Sequence, residues 1–200
     1  MNFLLTGIIF SSIIITNCQE EIIPPDYETF IDSRDGEIYK YVKIGNQFWM
    51  SENLRFNPDS GNFWAYNNND TDVITYGYLY GWETATKACP NGWHLPSEAE
   101  WTELQDFLGG EQAAGEKMKV AGTSYWNTSN KDVTNSSGFS ALPCGYFDGY
   151  DVFDGRGNIT YFWSSEPRLN IWWLSGHSKF LHHSWIEIYQ ASASVRCVRD

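Results

Sequence analysis

The stretch Ala88-Cys-Pro-Asn-Gly-Trp-His-Leu-Pro-Ser-Glu-Ala-Glu-Trp101 places a cysteine, a turn, a helix cap and two tryptophans in a short run of chain. It reads as a tight turn that delivers the chain into an amphipathic helix. Ser97 and Glu100 have the spacing of a capping box, in which each side chain satisfies a backbone N–H at the helix start. Trp101, Leu104 and Leu108 fall on one helical face. Gly109-Gly110 supplies a left-handed stop, so the helix is predicted over about Ser97–Leu108. His94 is read as fixing the turn before Pro96, not as a base.

Working outward, Gly81 to Ala88 has the spacing of a short helix with Trp82, Ala85 and Ala88 or Cys89 turned inward. A third, weaker helix is predicted around Glu111–Val120 on Ala113, Ala114 and Met118. Upstream, Ile38, Lys40, Val42 and Ile44 alternate with Tyr39, Tyr41 and Lys43. Gly45-Asn46 then makes a turn, and Phe48-Trp-Met50 opens the return strand of a hairpin. Residues 55–75 are rich in Asn, Asp and Gly and read as a long surface loop. Beyond Gly122, residues 126–137 read as polar loop. Phe139 to Phe147 reads as a short apolar strand broken by Pro143. Further strands are expected at 161–165, 171–174, 185–189 and 194–198. This mixture of a few helices and many short strands indicates a loop-rich α+β or mostly β domain.

The first seventeen residues carry no charge and hold a dense run of Phe, Leu and Ile. The run suits a signal-peptide core but is short for a membrane span, which needs about 20 apolar residues. Ile15-Thr-Asn-Cys18 resembles a bacterial lipobox, whose cysteine becomes a lipid-bearing N-terminus. Asn17 is larger than the usual small residue there, and no Lys or Arg opens the segment; an uncleaved anchor or a plain signal peptide is the alternative. Gln19-Glu20-Glu21 resemble the tag that sends lipoproteins of Bacteroidetes-like bacteria to the outer surface. Ile22 to Asp26, with paired prolines, reads as a stiff tether. The organisation expected is therefore 1–17 signal peptide, 18–30 lipid-anchored linker and 31–200 globular domain. That makes the chain an outer-membrane or cell-surface lipoprotein.

The formal net charge of −12 repels phosphate backbones and argues against nucleic acid as a partner. It also disfavours anionic lipid, which leaves the lipid on Cys18 as the membrane contact. If Cys18 is lipidated, Cys89, Cys144 and Cys197 remain. An exported chain meets oxidising conditions, so one disulfide and one spare thiol are expected, with three pairings open.

Several pieces line up in order: Gly36-Glu-Ile-Tyr39, Val42-Lys-Ile-Gly-Asn-Gln-Phe-Trp-Met50, Glu52-Asn-Leu54, Tyr76-Gly-Tyr-Leu-Tyr80, Ala88 to Pro96, Gly138-Phe-Ser-Ala-Leu-Pro143, Phe162-Trp-Ser-Ser165 and Ser194-Val-Arg-Cys-Val-Arg199. Together they resemble the Fibrobacter succinogenes major paralogous domain, from about Asp35 to Asp200. That family is exported and often lipid-anchored, with no well-established activity. More distantly, His94 to Trp101 is similar to a signature of formylglycine-generating-enzyme-like domains. That resemblance implies an α+β, C-type-lectin-like fold, with two to three short helices around a small twisted antiparallel sheet and long loops. It also implies the pairing Cys89–Cys197, because that fold often bridges the first helix to the last strand. Cys144 stands where the family usually has glycine and is expected as a buried thiol.

Chemical constellations are sparse. Formylglycine-type oxidation needs two neighbouring reactive cysteines, and only Cys144 is spare. Glu166-Pro167-Arg168 echoes a lectin calcium loop, but Arg168 is a cation where an amide oxygen is needed. His177, His182 and His183 could hold zinc only if they converged, and adjacent histidines on a strand face opposite ways. Glu98 and Glu103 are read as a solvated helix face rather than a glycosidase pair. No catalytic residue, cofactor or metal is assigned. The aromatics Trp64, Tyr66, Tyr150, Phe153, Trp172 and Trp173, on loops or alternating strands, are the candidate ligand-binding residues. The expectation is a non-enzymatic surface module that binds a glycan or protein. The alternatives are a structural envelope protein without soluble ligand and a degenerate enzyme of the formylglycine-generating-enzyme-like fold.

Overall fold

The hairpin anticipated around Gly45 is the middle of a five-stranded sheet. The computed structural model describes residues 25–128, 132–166, 170–185 and 191–200; the expected signal segment and Cys18 lie outside them. Strand β1 (Glu28–Ile31) pairs with β2 (Ile38–Ile44), and β2 with β3 (Gln47–Met50), all antiparallel. Ile44 faces Gln47 across the two-residue turn, with Gly45 at φ 63°. Such a turn needs positive φ, which glycine adopts without a Cβ clash.

Chain order continues through β4 (Phe63–Trp64), α1 (Val73–Tyr76), β5 (Leu79–Gly81), α2 (Trp82–Ala88) and β6 (Trp93–His94). Next come α3 (Glu98–Phe107) and α4 (Glu111–Met118), then the short β7 (Tyr146–Phe147) and β8 (Phe153–Asp154). The chain closes through β9 (Ile159–Trp163), β10 (Asn170–Ser175), β11 (His182–Trp185), β12 (Ser192–Ala193) and β13 (Val198–Arg199). Among the described residues these strands form three sheets: β1-β2-β3-β13-β6, β4-β5-β12-β7-β8 and β11-β10-β9.

The α+β class is as expected, with corrections to its parts. Among the described residues, four α-helices and three sheets replace two to three helices around one small sheet. Part of the predicted 55–75 loop is ordered as β4, two turns of tight 3-10 helix and α1. Its Asn side chains drive this locally: Asn69 Oδ1 accepts from the Thr71 amide, and Asn67 and Asn68 take left-handed φ. The 139–147 segment is strand only at 146–147, Pro143 having no N–H to donate to a ladder. Strand β1 is tied into the body by Phe30, which stacks on Trp93 at 4.4 Å.

Strands β2 and β3 send side chains into apolar clusters on both faces of the first sheet. Val42, Ile44 and Trp49 join one apolar cluster with Trp101 and Leu104 of α3, Leu108 just past its end, and Met118 of α4. Tyr39, Tyr41 and Met50 join a second cluster with Ala85 and Ala88 of α2 and with Trp163. This explains why simple alternation fails along β2, where Tyr41 and Val42 are buried side by side. Each large side chain so removed from water contributes about 1.5–3 kcal/mol.

Helix α3 starts as its sequence requires. Ser97 Oγ accepts from the Glu100 amide, and in return the Ser97 amide donates to Glu100 Oε2 at 2.8 Å. Glu166 Oε1 adds a further acceptor for the Glu98 amide at 2.8 Å. His94 lies between Asp200 and Glu100, at 2.6 and 2.7 Å from their carboxylate oxygens. Burial works against its charged form, but the two carboxylates outweigh that and raise its pKa. His94 thus ties β6 to the helix start, a larger role than fixing the local turn.

Cys89, just after α2, is bridged to Cys197, just before β13, with Cα atoms 5.9 Å apart. Cys144 is a buried free thiol whose pKa burial raises. Among the described residues no helix is long and apolar enough to cross a membrane.

Candidate functional site

A wide recess lies between residues 56–62 and α2. Its volume is about 690 Å³, and Phe56 and Trp82 give it apolar walls. Asp59, Asn62, Glu83 and Lys87 bring polar groups to it. Local geometry explains why the recess persists. The Gly81 amide donates to Asn62 O at 2.8 Å, and the Asn62 amide donates to Thr84 Oγ1 at 2.8 Å, pinning the loop to the helix. Gly61, at φ 111°, comes so close to Thr84 that a Cβ there would sit 2.5 Å from Oγ1. A side chain at position 61 would push the loop off α2.

The aromatic walls are held in place as well. Trp82 donates its Nε1–H to Ser164 O at 3.0 Å, so the half-buried indole keeps one orientation. The guanidinium of Arg34 sits 3.7 Å from the Phe56 ring centre. Tyr80, fully buried, donates its hydroxyl to Phe56 O at 2.6 Å. Burial lifts the Tyr80 pKa far above the usual phenol range, so the hydroxyl stays a donor. The far end of α2 is fixed by the Cys89–Cys197 bridge. Two pre-oriented rings beside exposed carboxylate, amide and ammonium groups can stack on a polar ring and hydrogen-bond its hydroxyls.

The six candidate aromatics do not form one site. Trp64 packs on Phe147 at 4.6 Å, Phe147 on Phe153 at 4.6 Å, and Tyr66 on Phe153 at 5.4 Å. Trp64, Tyr66 and Phe153 therefore cover the β4–β8 sheet and one another, each half-buried. Tyr150 stands out, 67% exposed, on a tip organised by Asp148, whose Oδ1 accepts from the amides of Tyr150, Asp151 and Val152. Those bonds lower the Asp148 pKa.

Trp172 is a correction. It is 2% exposed and stacks near-parallel to Trp101, so it belongs to the core. Strand β10 is central in its sheet, and successive side chains point to opposite faces. Trp173, on the other face, is half-buried and stacks on His182 at 3.8 Å. His183 stacks instead on Trp172 at 4.6 Å, so the adjacent histidines part as their spacing requires. Burial lowers the His182 pKa.

Glu98 is less free than its place on a solvated face suggested. Its Oε2 accepts from Asn170 Nδ2 at 2.9 Å, and His183 Nε2 lies 3.7 Å from its Oε1. Nothing in the sequence points to Phe56, and helical spacing places Trp82 in the core rather than in a recess. Trp82 was assigned inward with Ala85 and Ala88; those alanines are buried, but Trp82 sits in the first turn of α2 and only half of it is covered. The Asn/Gly-rich loop facing it was the available signal.

A family model described as the Fibrobacter succinogenes major domain matches residues 42–199, close to the span over which the motifs ran. No curated protein and no solved structure matches the chain.

Proposed function

The chain belongs to the Fibrobacter succinogenes major domain family, and from that premise we propose that it is a non-catalytic glycan-binding module shown at the cell surface by a lipid on Cys18. The observation that carries this reading is the recess beside α2, where fixed faces of Trp82 and Phe56 stand among exposed Asp59, Asn62, Glu83 and Lys87. Sugar rings stack by their apolar faces on such side chains and exchange hydroxyl bonds with short polar ones. Asp59 and Glu83 are both exposed. General-acid work at neutral pH instead uses a carboxyl raised by burial, which favours binding over hydrolysis. The apolar opening segment, the Cys18 context and the acidic residues after it support export and anchoring. A C-type-lectin-like reading of the fold is supported by the bridge that joins the end of α2 to the start of β13.

The test is a glycan array with the purified chain, followed by calorimetry on any glycan it retains. Trp82→Ala is expected to weaken binding about 10- to 30-fold, as for an aromatic anchor at a recognition centre. Because Trp82 also supports packing, Lys87→Ala and Glu83→Ala, both at exposed positions, are measured beside it and are expected to weaken binding with an unchanged thermal midpoint. An array without retained glycans, or full affinity in all three variants, overturns the proposal.

A further inference from the structure

A second recess shares no lining residue with the first. Its volume is about 400 Å³, and its floor includes Ser51, Asn53 and Arg196. These three are 4%, 5% and 1% exposed. Lys40, Tyr27 and Tyr125 stand around them, Lys40 exposed and Tyr125 38% exposed.

Arg196 is a buried cation held by neutral groups. Its Nε donates to Asn53 Oδ1 at 2.6 Å. Nη1 donates to Met50 O at 3.0 Å and to Phe139 O, and Nη2 donates to Ser140 O at 3.1 Å. The Phe139 ring lies against it, 4.6 Å from centroid to guanidinium carbon. A guanidinium has five N–H donors, and these bonds use four. Among the described residues no carboxylate lies within ion-pair distance of Arg196. Burial lowers its pKa to about 10, which still leaves it charged at neutral pH.

A buried charge without a partner of opposite sign is costly, and so is a buried hydroxyl without a hydrogen bond. Ser51 provides the second observation: its Oγ is buried and has no hydrogen-bond partner. Glu52 is the one carboxylate in the lining of this recess; it accepts from the Lys40 amide at 2.6 Å and lies 3.9 Å from Arg55 Nη1, so part of its charge is already met.

We propose that this recess binds the carboxylate of a small ring-bearing ligand, a hexuronic acid being the chemistry that fits. The carboxylate faces the spare Arg196 N–H, the Ser51 hydroxyl and the Lys40 ammonium, and the ring lies between Tyr27 and Tyr125. Charge-assisted bonds of this kind are the strong ones, and they favour an acid sugar over its neutral counterpart. Net negative charge of the whole chain sets a weak, salt-dependent repulsion, which the local cations oppose.

The test is calorimetric titration of the purified chain with glucuronate, glucose and acetate. Glucuronate is expected to bind about tenfold or more tightly than either of the others, the margin of one charge-assisted bond. Ser51→Ala and Lys40→Ala are expected to weaken glucuronate binding about five- to tenfold with unchanged circular dichroism, and Lys40→Ala to flatten its salt dependence. Nitrogen-edited NMR of the Arg196 side chain should shift with the same saturation curve. Equal affinity for glucuronate and glucose, equal affinity for glucuronate and acetate, no binding of any probe, or full affinity in both variants overturns the proposal. So does an Arg196 signal that stays fixed at saturation.

Discussion

Reducing or deleting the Cys89–Cys197 bridge should cost more than any single surface change in this protein. The two cysteines are 108 residues apart in sequence, so the cross-link removes a large closed loop from the unfolded ensemble. The chain-entropy relation gives about 4.7 kcal/mol for a loop of that size. A domain of this length shifts its thermal midpoint by about 2–4 °C per kcal/mol. Cys89→Ala with Cys197→Ala should therefore lower the midpoint by about 10–19 °C. The loss should also have a place. Helix α2 has seven residues, too few to persist on its own helical propensity. It is held by burial of Ala85 and Ala88 and by the bridge at its end. Amide exchange should accordingly rise first in α2 and β13, while α3 keeps its protection through Trp101 and Leu104. The assay is thermal denaturation with and without reductant, with hydrogen exchange read by mass spectrometry. A midpoint shift below about 3 °C, or loss of protection spread evenly over all helices, would refute the reasoning.

Two further outcomes follow from single positions. Gly115→Ala in α4 should destabilise by about 1–3 kcal/mol, although alanine ordinarily favours a helix by about 1 kcal/mol over glycine. A Cβ there would sit 2.5 Å from Phe180 O and 2.6 Å from Lys179 O, so backbone must move; a higher denaturation midpoint in the variant would contradict this. The His94 contribution should depend on pH. Its folded pKa is raised above 6.5, so the stability it adds is complete below that value and fades as pH rises through the folded pKa. The ring is 40% exposed, which limits the effect to about 0.5–1 kcal/mol. The stability difference between the natural chain and His94→Gln should shrink from about pH 6 to pH 9, and a constant difference in urea melts would count against the clamp.

Local chemistry was legible in the sequence wherever neighbours a few residues apart settle the outcome. The capping box of Ser97 and Glu100, the stop at Gly109 and the Gly45 turn all arise from bonds and φ angles within one short segment. The same holds for the opposed faces of His182 and His183, which strand geometry dictates. The bridge between Cys89 and Cys197 was reachable through family resemblance, since counting cysteines left three pairings.

What an aromatic side chain faces was not legible. Trp172 and Trp173 are chain neighbours of one type, yet one is core and the other half-open, because the layers covering β10 come from distant segments. Trp82 looks like a core residue from its helical spacing, and only the approach of residues 56–62 turns it into the wall of a recess. Arg196 carries no local sign of being buried; its partners Asn53, Met50 and Phe139 arrive from 57 to 146 residues away. Sequence thus determined turns, caps and strand phases, which depend on short-range bonding. Tertiary structure alone decided which polar and aromatic groups share a recess, because that depends on which long-range surfaces close over them.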